Sequence, residues 1–353
     1  MDDTSTPRLS AYSAVATSLA LHSDQEVSEL IDKATPLGSG IGGRSALLEV
    51  AGTQVFVKRV PVTERELLPE NVRSTADVFG LPSSFHYGIG SPGFGAWREL
   101  AAHVMTTNWV LAGQYSGFPL MYHWRVLPDT APPLPPELAD VNGAVAYWGG
   151  GPEIRDRIEA RRRSPASLVL FLEHFPHNLF EWLGPQLRAA GEAAGAVCDL
   201  VEGELEAGVS FMNAQGLLHF DAHFENILTD GRRLYFTDFG LALSSRFALS
   251  SEQSDFYDRH RTYDRCYTST HLVHRLASEL YPGLGWDDRV ALIGDWAAGA
   301  PPTGVPEAIA AIFARHSPPA ALMTAFYTKL RHESRLTPYP LEEIRKLRLT
   351  CTA

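Results

Sequence analysis

The spacing of polar and apolar residues changes several times along the 353-residue chain, and each change marks an element. Leu47-Leu48-Glu49-Val50 and Val55-Phe56-Val57-Lys58 are two β-type runs joined by Ala51-Gly52, which predicts a hairpin. Ile227-Leu228-Thr229 and Leu234-Tyr235-Phe236-Thr237 flank Asp230-Gly231 and predict a second one. Phe118–Leu127 reads as a strand, and Ser167–Phe175 is a continuous apolar run. Helical spacing runs from Ala96 to about Leu111, and more weakly from Ala11 to Ile31, where one helix is expected ahead of the sheet. Asn178 is placed to cap a helix, and the alanine-rich segment at 188–214 predicts a long one leading into Gly216. Residues 80–95, rich in Gly, Pro and Ser, read as loop. Pro128–Pro136 excludes regular structure, because proline removes donors and fixes φ. It opens an insertion to about Pro165, expected to be a surface excursion, with a partner-docking element as the alternative. Residues 300–353 predict two or three helices split by Pro pairs.

Composition narrows the function classes. A chain of this length with 45% hydrophobic residues can bury a full core and divide into two bodies. No apolar run approaches the length that spans a bilayer, so no membrane partner is expected. Asp2 and Asp3 lack the basic start of a secretory signal, and Cys198, Cys266 and Cys351 have no metal spacing. These features predict a cytoplasmic protein. A net charge of −11 argues against nucleic acid as a partner. Arg161-Arg162-Arg163 is the only basic run and reads as solvated surface.

The candidate chemistry lies in residues 217–240, LLHFDAHFENILTDGRRLYFTDFG. Asp221 and Asn226 fall on a loop, and the predicted hairpin brings Asp238 back toward Asn226. The three would supply oxygen ligands suited to Mg²⁺. Upstream, Gly38, Gly40 and Gly43 have G-x-G-x-x-G spacing, but β-type residues follow them where a dinucleotide fold would open a helix. Lysine occurs only at Lys33, Lys58, Lys329 and Lys346, and Lys58 ends a predicted strand.

His219-x-Asp221 with Asn226, followed by Asp238-Phe239-Gly240 and preceded by Gly38–Gly43 and Lys58, resembles the catalytic core of the protein-kinase superfamily over roughly residues 35–280. The resemblance implies an α+β fold of two lobes. A β-rich N-lobe would occupy 35–173, with insertions at about 61–95 and 128–165. A mostly helical C-lobe would occupy 174–353, and residues 1–34 would form a preceding helical segment. Mg-ATP would be the phosphoryl donor and a hydroxyl the acceptor. By the same resemblance Asp221 accepts the hydroxyl proton, Asn226 and Asp238 bind Mg²⁺, and Lys58 holds the α/β-phosphates. Glu99 would orient Lys58, in preference to Glu64, Glu66 or Glu70. The backbone of Gly38, Ser39, Gly40, Gly42 and Gly43 would cover the phosphates, where side chains would prevent close approach. Leu172 would be the gatekeeper, with Glu173 and Phe175 offering backbone groups to adenine. Asp264 would anchor the catalytic loop, and His219 would be structural.

Departures from the pattern bear on the acceptor and on control. His223 stands where protein kinases usually carry lysine; aminoglycoside- and choline-type kinases often have histidine there, and it could donate to the transferring phosphoryl. Phe220 replaces the arginine that senses activation-segment phosphate. Phe56 replaces a small residue over adenine, and Ser45 a valine. Only 26 residues separate Asp238 from Asp264, with no Ala-Pro-Glu between. A protein or peptide Ser/Thr hydroxyl is the first reading of the acceptor, and a small molecule (antibiotic or metabolite) the alternative. A pseudokinase that binds partner proteins is the third.

Overall fold

The computed structural model describes residues 5–88, 90–190 and 194–347. Cys351 lies outside them. The fold is mixed α and β, with a small antiparallel sheet near the N-terminus. The chain forms two compact units, one reaching to His174 and including Asp238–Gln253, the other holding Phe175–Thr237 and the chain from Ser254 onward.

In the first unit, α1 (Ser5–Leu21) and α2 (Asp24–Asp32) precede β1 (Thr35–Gly40), β2 (Gly43–Val50) and β3 (Thr53–Val62). After α3 (Ala96–Leu111) come β4 (Met121–Pro128), α4 (Pro136–Ala139), α5 (Val141–Tyr147), α6 (Pro152–Arg162) and β5 (Ala166–Glu173). The sheet order is β1-β2-β3-β5-β4, with all neighbours antiparallel. Side chains alternate between its faces. Val55, Val57, Val169 and Phe171 pack on Val15 and Leu19 of α1 and on Val27 and Ile31 of α2. Val60, Leu168, Leu170 and Leu172 pack on Trp97 and Leu100 of α3. Both faces of β5 are covered, which is why its sequence is apolar throughout.

The single helix expected over Ala11–Ile31 is two. Ser23 forms a capping box, its hydroxyl accepting Glu26 N–H at 3.3 Å while the Glu26 carboxylate accepts Ser23 N–H at 2.7 Å. A side chain that bonds its own backbone starts a new helix instead of extending the old one.

The segment at 128–165 is likewise not a surface excursion. Ile154 and Ile158 of α6 share a core with Phe79, Leu81, Phe85 and Phe94 from the earlier segment between β3 and α3. Glu66 joins these pieces from a fully enclosed position. Its carboxylate accepts Thr63 N–H at 3.0 Å, Ala96 N–H at 2.9 Å and Arg157 Nη1 at 3.0 Å. Ala96 opens α3 behind Gly95, whose φ of 115° suits glycine and which offers no capping side chain. Glu66 therefore caps that helix from 30 residues away.

The second unit contains β6 (His177–Asn178), α7 (Leu179–Ala190), α8 (Ala194–Ala214), β7 (Leu217–Leu218), β8 (Ile227–Thr229) and β9 (Leu234–Phe236). Asn178 Oδ1 accepts Glu181 N–H at 2.8 Å, capping α7. The Asp230-Gly231 hairpin pairs Ile227 with Phe236 and Thr229 with Leu234. After β10 (Leu243–Ser244) and α9 (Ser251–Arg259) come α10 (Tyr263–Leu280), α11 (Trp286–Ala297), α12 (Glu307–His332) and α13 (Leu341–Lys346). Pro318-Pro319 does not split the chain as expected, because α12 runs through it. Packing of α10 and α11 along α12 sustains the helix across the two missing donors. No described helix is long and apolar enough to cross a membrane.

The Glu66 junction should dominate the stability of the first unit. Glu66→Ala leaves Arg157 buried without its counter-charge and should cost about 3–5 kcal/mol. Ser23→Ala removes an exposed cap and should cost about 1 kcal/mol. Urea unfolding of both variants should rank them in that order, and equal losses would remove Glu66 from its central position.

Candidate active site

The first unit contributes a buried charge triad. Lys58 ends the central part of β3 at 7% exposure, opposite Ser45 on β2 and Leu170 on β5. Its Nζ lies 2.7 Å from Glu99 Oε1 and 2.8 Å from Asp238 Oδ1. Burial opposes the Lys58 charge, but Asp238 and Glu99 outweigh it and raise the pKa. Burial pushes the Glu99 carboxyl up, against the pull of Lys58. Glu99 sits in the first turn of α3, the end held by Glu66, whereas Glu64 and Glu70 are exposed. Asp238 adopts φ 61°, a strained conformation for a non-glycine residue. Phe239 behind it is buried and packs edge-on to His103 at 5.0 Å.

Gly38, Ser39 and Gly40 are exposed, and a Cβ at Gly38 or Gly40 would meet open space. Gly42 is different, since a Cβ there would lie 3.3 Å from Lys58 Nζ. Position 43 requires glycine, because its φ is 127° and a Cβ would collide with the Arg59 carbonyl. The turn between β1 and β2 is held by Arg161 of α6, which donates to Ile41 O and to Pro92 O. The reading of Arg161-Arg162-Arg163 as solvated thus fails at its first member. Arg161 is buried, and desolvation pulls its pKa down to about 10. Helical spacing carried the signal, since Arg161 follows Arg157 by four residues on the face that holds Ile154 and Ile158.

Leu172 is buried on β5 opposite Phe56 and Met121, and Phe56 is half-buried against that cluster. Glu173 acts through its side chain as well as its backbone. The carboxylate receives Arg8 Nε at 2.8 Å and Nη2 at 2.6 Å, plus Leu120 N–H at 3.0 Å. Its own N–H donates to Leu120 O at 2.8 Å. Nothing local in the sequence points to Arg8. Residues after Asp238 also have unforeseen partners. His86 Nδ1 lies 2.7 Å from Leu241 O, Thr75 Oγ1 accepts Ala248 N–H at 2.9 Å, and Arg98 Nη2 donates to Gln253 at 3.0 Å.

In the second unit, Phe175 stacks on Tyr235 with centroids 3.9 Å apart. The loop from His219 to Asn226 is held from beneath by Asp264, whose carboxylate accepts the N–H of His219 at 2.6 Å and of Phe220 at 2.8 Å. Phe220 has φ 63° and no exposure, and its ring packs among Phe256, His260 and Tyr263. Asn226 Nδ2 donates to Asp221 O at 3.0 Å and Oδ2 at 3.1 Å, fixing the Asp221 carboxylate. Thr237 N–H donates to Asn226 O at 3.0 Å, and His219 Nε2 lies 2.9 Å from Thr237 O. His223 Nε2 stands 3.9 Å from Asp221 Oδ2.

Each unit carries a donor suited to a hard divalent cation. The Asn226 amide nitrogen is committed to Asp221, which leaves its carbonyl oxygen as the ligand atom. Asp238 is the most exposed member of a triad with two carboxylates and one ammonium, so the triad carries an excess negative charge that a cation would balance.

No protein-family model matches the chain, and a search of curated proteins finds no match to it.

Burial raises the Asp264 carboxyl to about 6, against the two N–H groups that favour its charged form. A carboxyl raised in the folded state binds more protons there than when unfolded. Its contribution therefore falls as pH rises from about 4 to 6, by roughly 3 kcal/mol. Asp264→Asn should abolish that component. The stability difference between wild type and variant, from denaturant titrations across this window, should shrink with rising pH. A constant difference would show that Asp264 does not titrate there.

Proposed function

We propose that the chain is an ATP-dependent phosphotransferase with a two-lobed, protein-kinase-like fold. It would move the γ-phosphoryl of Mg-ATP to a hydroxyl. The observation that carries this reading is the enclosed Lys58 ammonium between Glu99 and the more accessible Asp238. A fixed cation beside a cation-binding acid is what a triphosphate requires.

Phosphoryl transfer gives a protein little covalent work, so the site must position groups and neutralise charge. Lys58 would bind the α/β-phosphates, with Glu99 keeping Nζ aimed. Asp238 and Asn226 would hold Mg²⁺, which when bound neutralises phosphate charge. Asp221, fixed by Asn226, would orient the acceptor hydroxyl and take its proton. His223 would donate a hydrogen bond to the transferring phosphoryl. The backbone from Gly38 to Gly43 would cover the phosphates, and Leu172, Glu173 and Phe175 would border adenine. Both a protein Ser/Thr hydroxyl and a small-molecule alcohol suit this chemistry.

Saturating Mg-ATP should raise the melting temperature by mass action, and Asp238→Ala should remove the metal-dependent part of that rise. An unchanged melting temperature would point to Phe56 blocking the adenine side. Asp221→Asn should keep ATP affinity and lower turnover by about 10²–10⁴-fold, because an amide cannot accept the proton. Equal turnover would sink the assigned mechanism.

Control should not need phosphorylation. Phe220 cannot pair with a phosphate, and its loop is ordered by aromatic packing. Phosphatase-treated protein is expected to retain its turnover, and loss of most of it would contradict this.

A further inference from the structure

Beside the catalytic loop, the second unit contains a cavity of about 460 Å³ that belongs to none of the roles above. Tyr267 and His271 of α10, Tyr327 and Arg331 of α12, and Trp286 at the start of α11 form much of its wall. The volume is that of a site for one small organic molecule.

Two wall residues determine its chemistry. The Tyr267 hydroxyl and the His271 imidazole make no hydrogen bond to any described residue. The threonines around them are committed, Thr270 to Cys266 O at 2.7 Å and Thr328 to Thr324 O at 2.8 Å. Both residues are half-buried, so a ligand seated in the cavity would meet two polar groups to which no other described residue hydrogen-bonds.

The cavity adjoins the reacting residues. The His271 ring lies 6.1 Å from that of His223, which stands 3.9 Å from Asp221, and the Asp221 charge acts on Tyr267. Its walls favour a ring. Tyr267 and Tyr327 have centroids 5.7 Å apart, and Trp286, 55% exposed at the mouth, stacks on His274 at 5.0 Å.

Its charge excludes a polycation. Desolvation pushes His271 down to about 3 and His274 to about 4, so both are neutral at pH 7. Arg331 contributes a positive field felt by His271 and Tyr267. Asp287, exposed beside Trp286, is the only carboxylate of the wall among the described residues.

We propose that the phosphoryl acceptor is a small ring-bearing alcohol, neutral or carrying a carboxylate, held here by Tyr267, His271 and the aromatic walls with its hydroxyl turned to Asp221. This rests on the reading of Asp221 as the general base. Transfer breaks the bond from the γ-phosphorus to the bridging oxygen, which leaves with its electron pair as ADP. It forms a bond from the phosphorus to the acceptor oxygen, whose proton passes to Asp221.

The test offers wild-type protein radiolabelled Mg-ATP with 4-(hydroxymethyl)benzoate, 4-(hydroxymethyl)benzylamine or a Ser/Thr peptide library. The benzoate should be labelled in preference to the other two. Tyr267→Phe and His271→Phe should each raise its KM about tenfold while the KM for ATP shifts less than about twofold. Label confined to peptide overturns the proposal, as does a preference for the benzylamine. Unchanged KM values in both variants, or ATP turnover with no probe labelled, overturn it too. Saturation-transfer NMR of the benzoate without ATP separates the two readings. Binding that His271→Phe abolishes, in a protein that never binds Mg-ATP, supports the cavity as a ligand site and refutes phosphotransfer instead.

Discussion

The structure of the first unit is organised around one electrostatic requirement, the enclosure of the Lys58 ammonium. An isolated cation at 7% exposure would be driven to its neutral form, and two carboxylates prevent that. Each carboxylate must then be delivered by its own element. Glu99 depends on where α3 begins, which Glu66 fixes by capping Ala96. Asp238 depends on a strained φ, and Phe239 behind it is packed on His103. The charge of one side chain thus accounts for a helix start, a backbone outlier and an aromatic contact.

Two segments, 61–95 and 128–165, serve the same end. Glu66 comes from the first and Arg157 from the second, and the pair is fully enclosed. One turn further along α6, Arg161 reaches the carbonyl of Ile41 in the glycine-rich turn. Segments that look dispensable as sequence, one loop-like and one proline-rich, carry the supports of the charged cluster.

Local chemistry was legible in the sequence, and distant pairing was not. Alternation and turn residues marked both hairpins, and the Asp230-Gly231 turn appears where its dipeptide placed it. Asn178 caps α7, and Glu99, not its nearer rivals, meets Lys58. The helix break at Ser23 was overlooked although Ser23 and Glu26 have capping-box spacing. The continuity of α12 through Pro318-Pro319 was hidden because tertiary packing overrode the local rule. Arg161, Arg8 and the partners of the segment after Asp238 were invisible for another reason. Their partners lie far along the chain, and no short-range pattern encodes them.

The ion pair between Arg8 and Glu173 spans 165 residues and has a consequence for folding order. Arg8 lies on α1, which covers one face of the sheet, and Glu173 ends β5. β5 is the strand that joins β3 to β4. During synthesis α1 and α2 emerge before the sheet, yet the surface they cover is incomplete until β5 has been made. These two helices must wait, their apolar face unsatisfied, through the production of residues 61–95 and 128–165. Such high contact order predicts slow assembly and a stage at which α1 is open to chaperones or to mispairing.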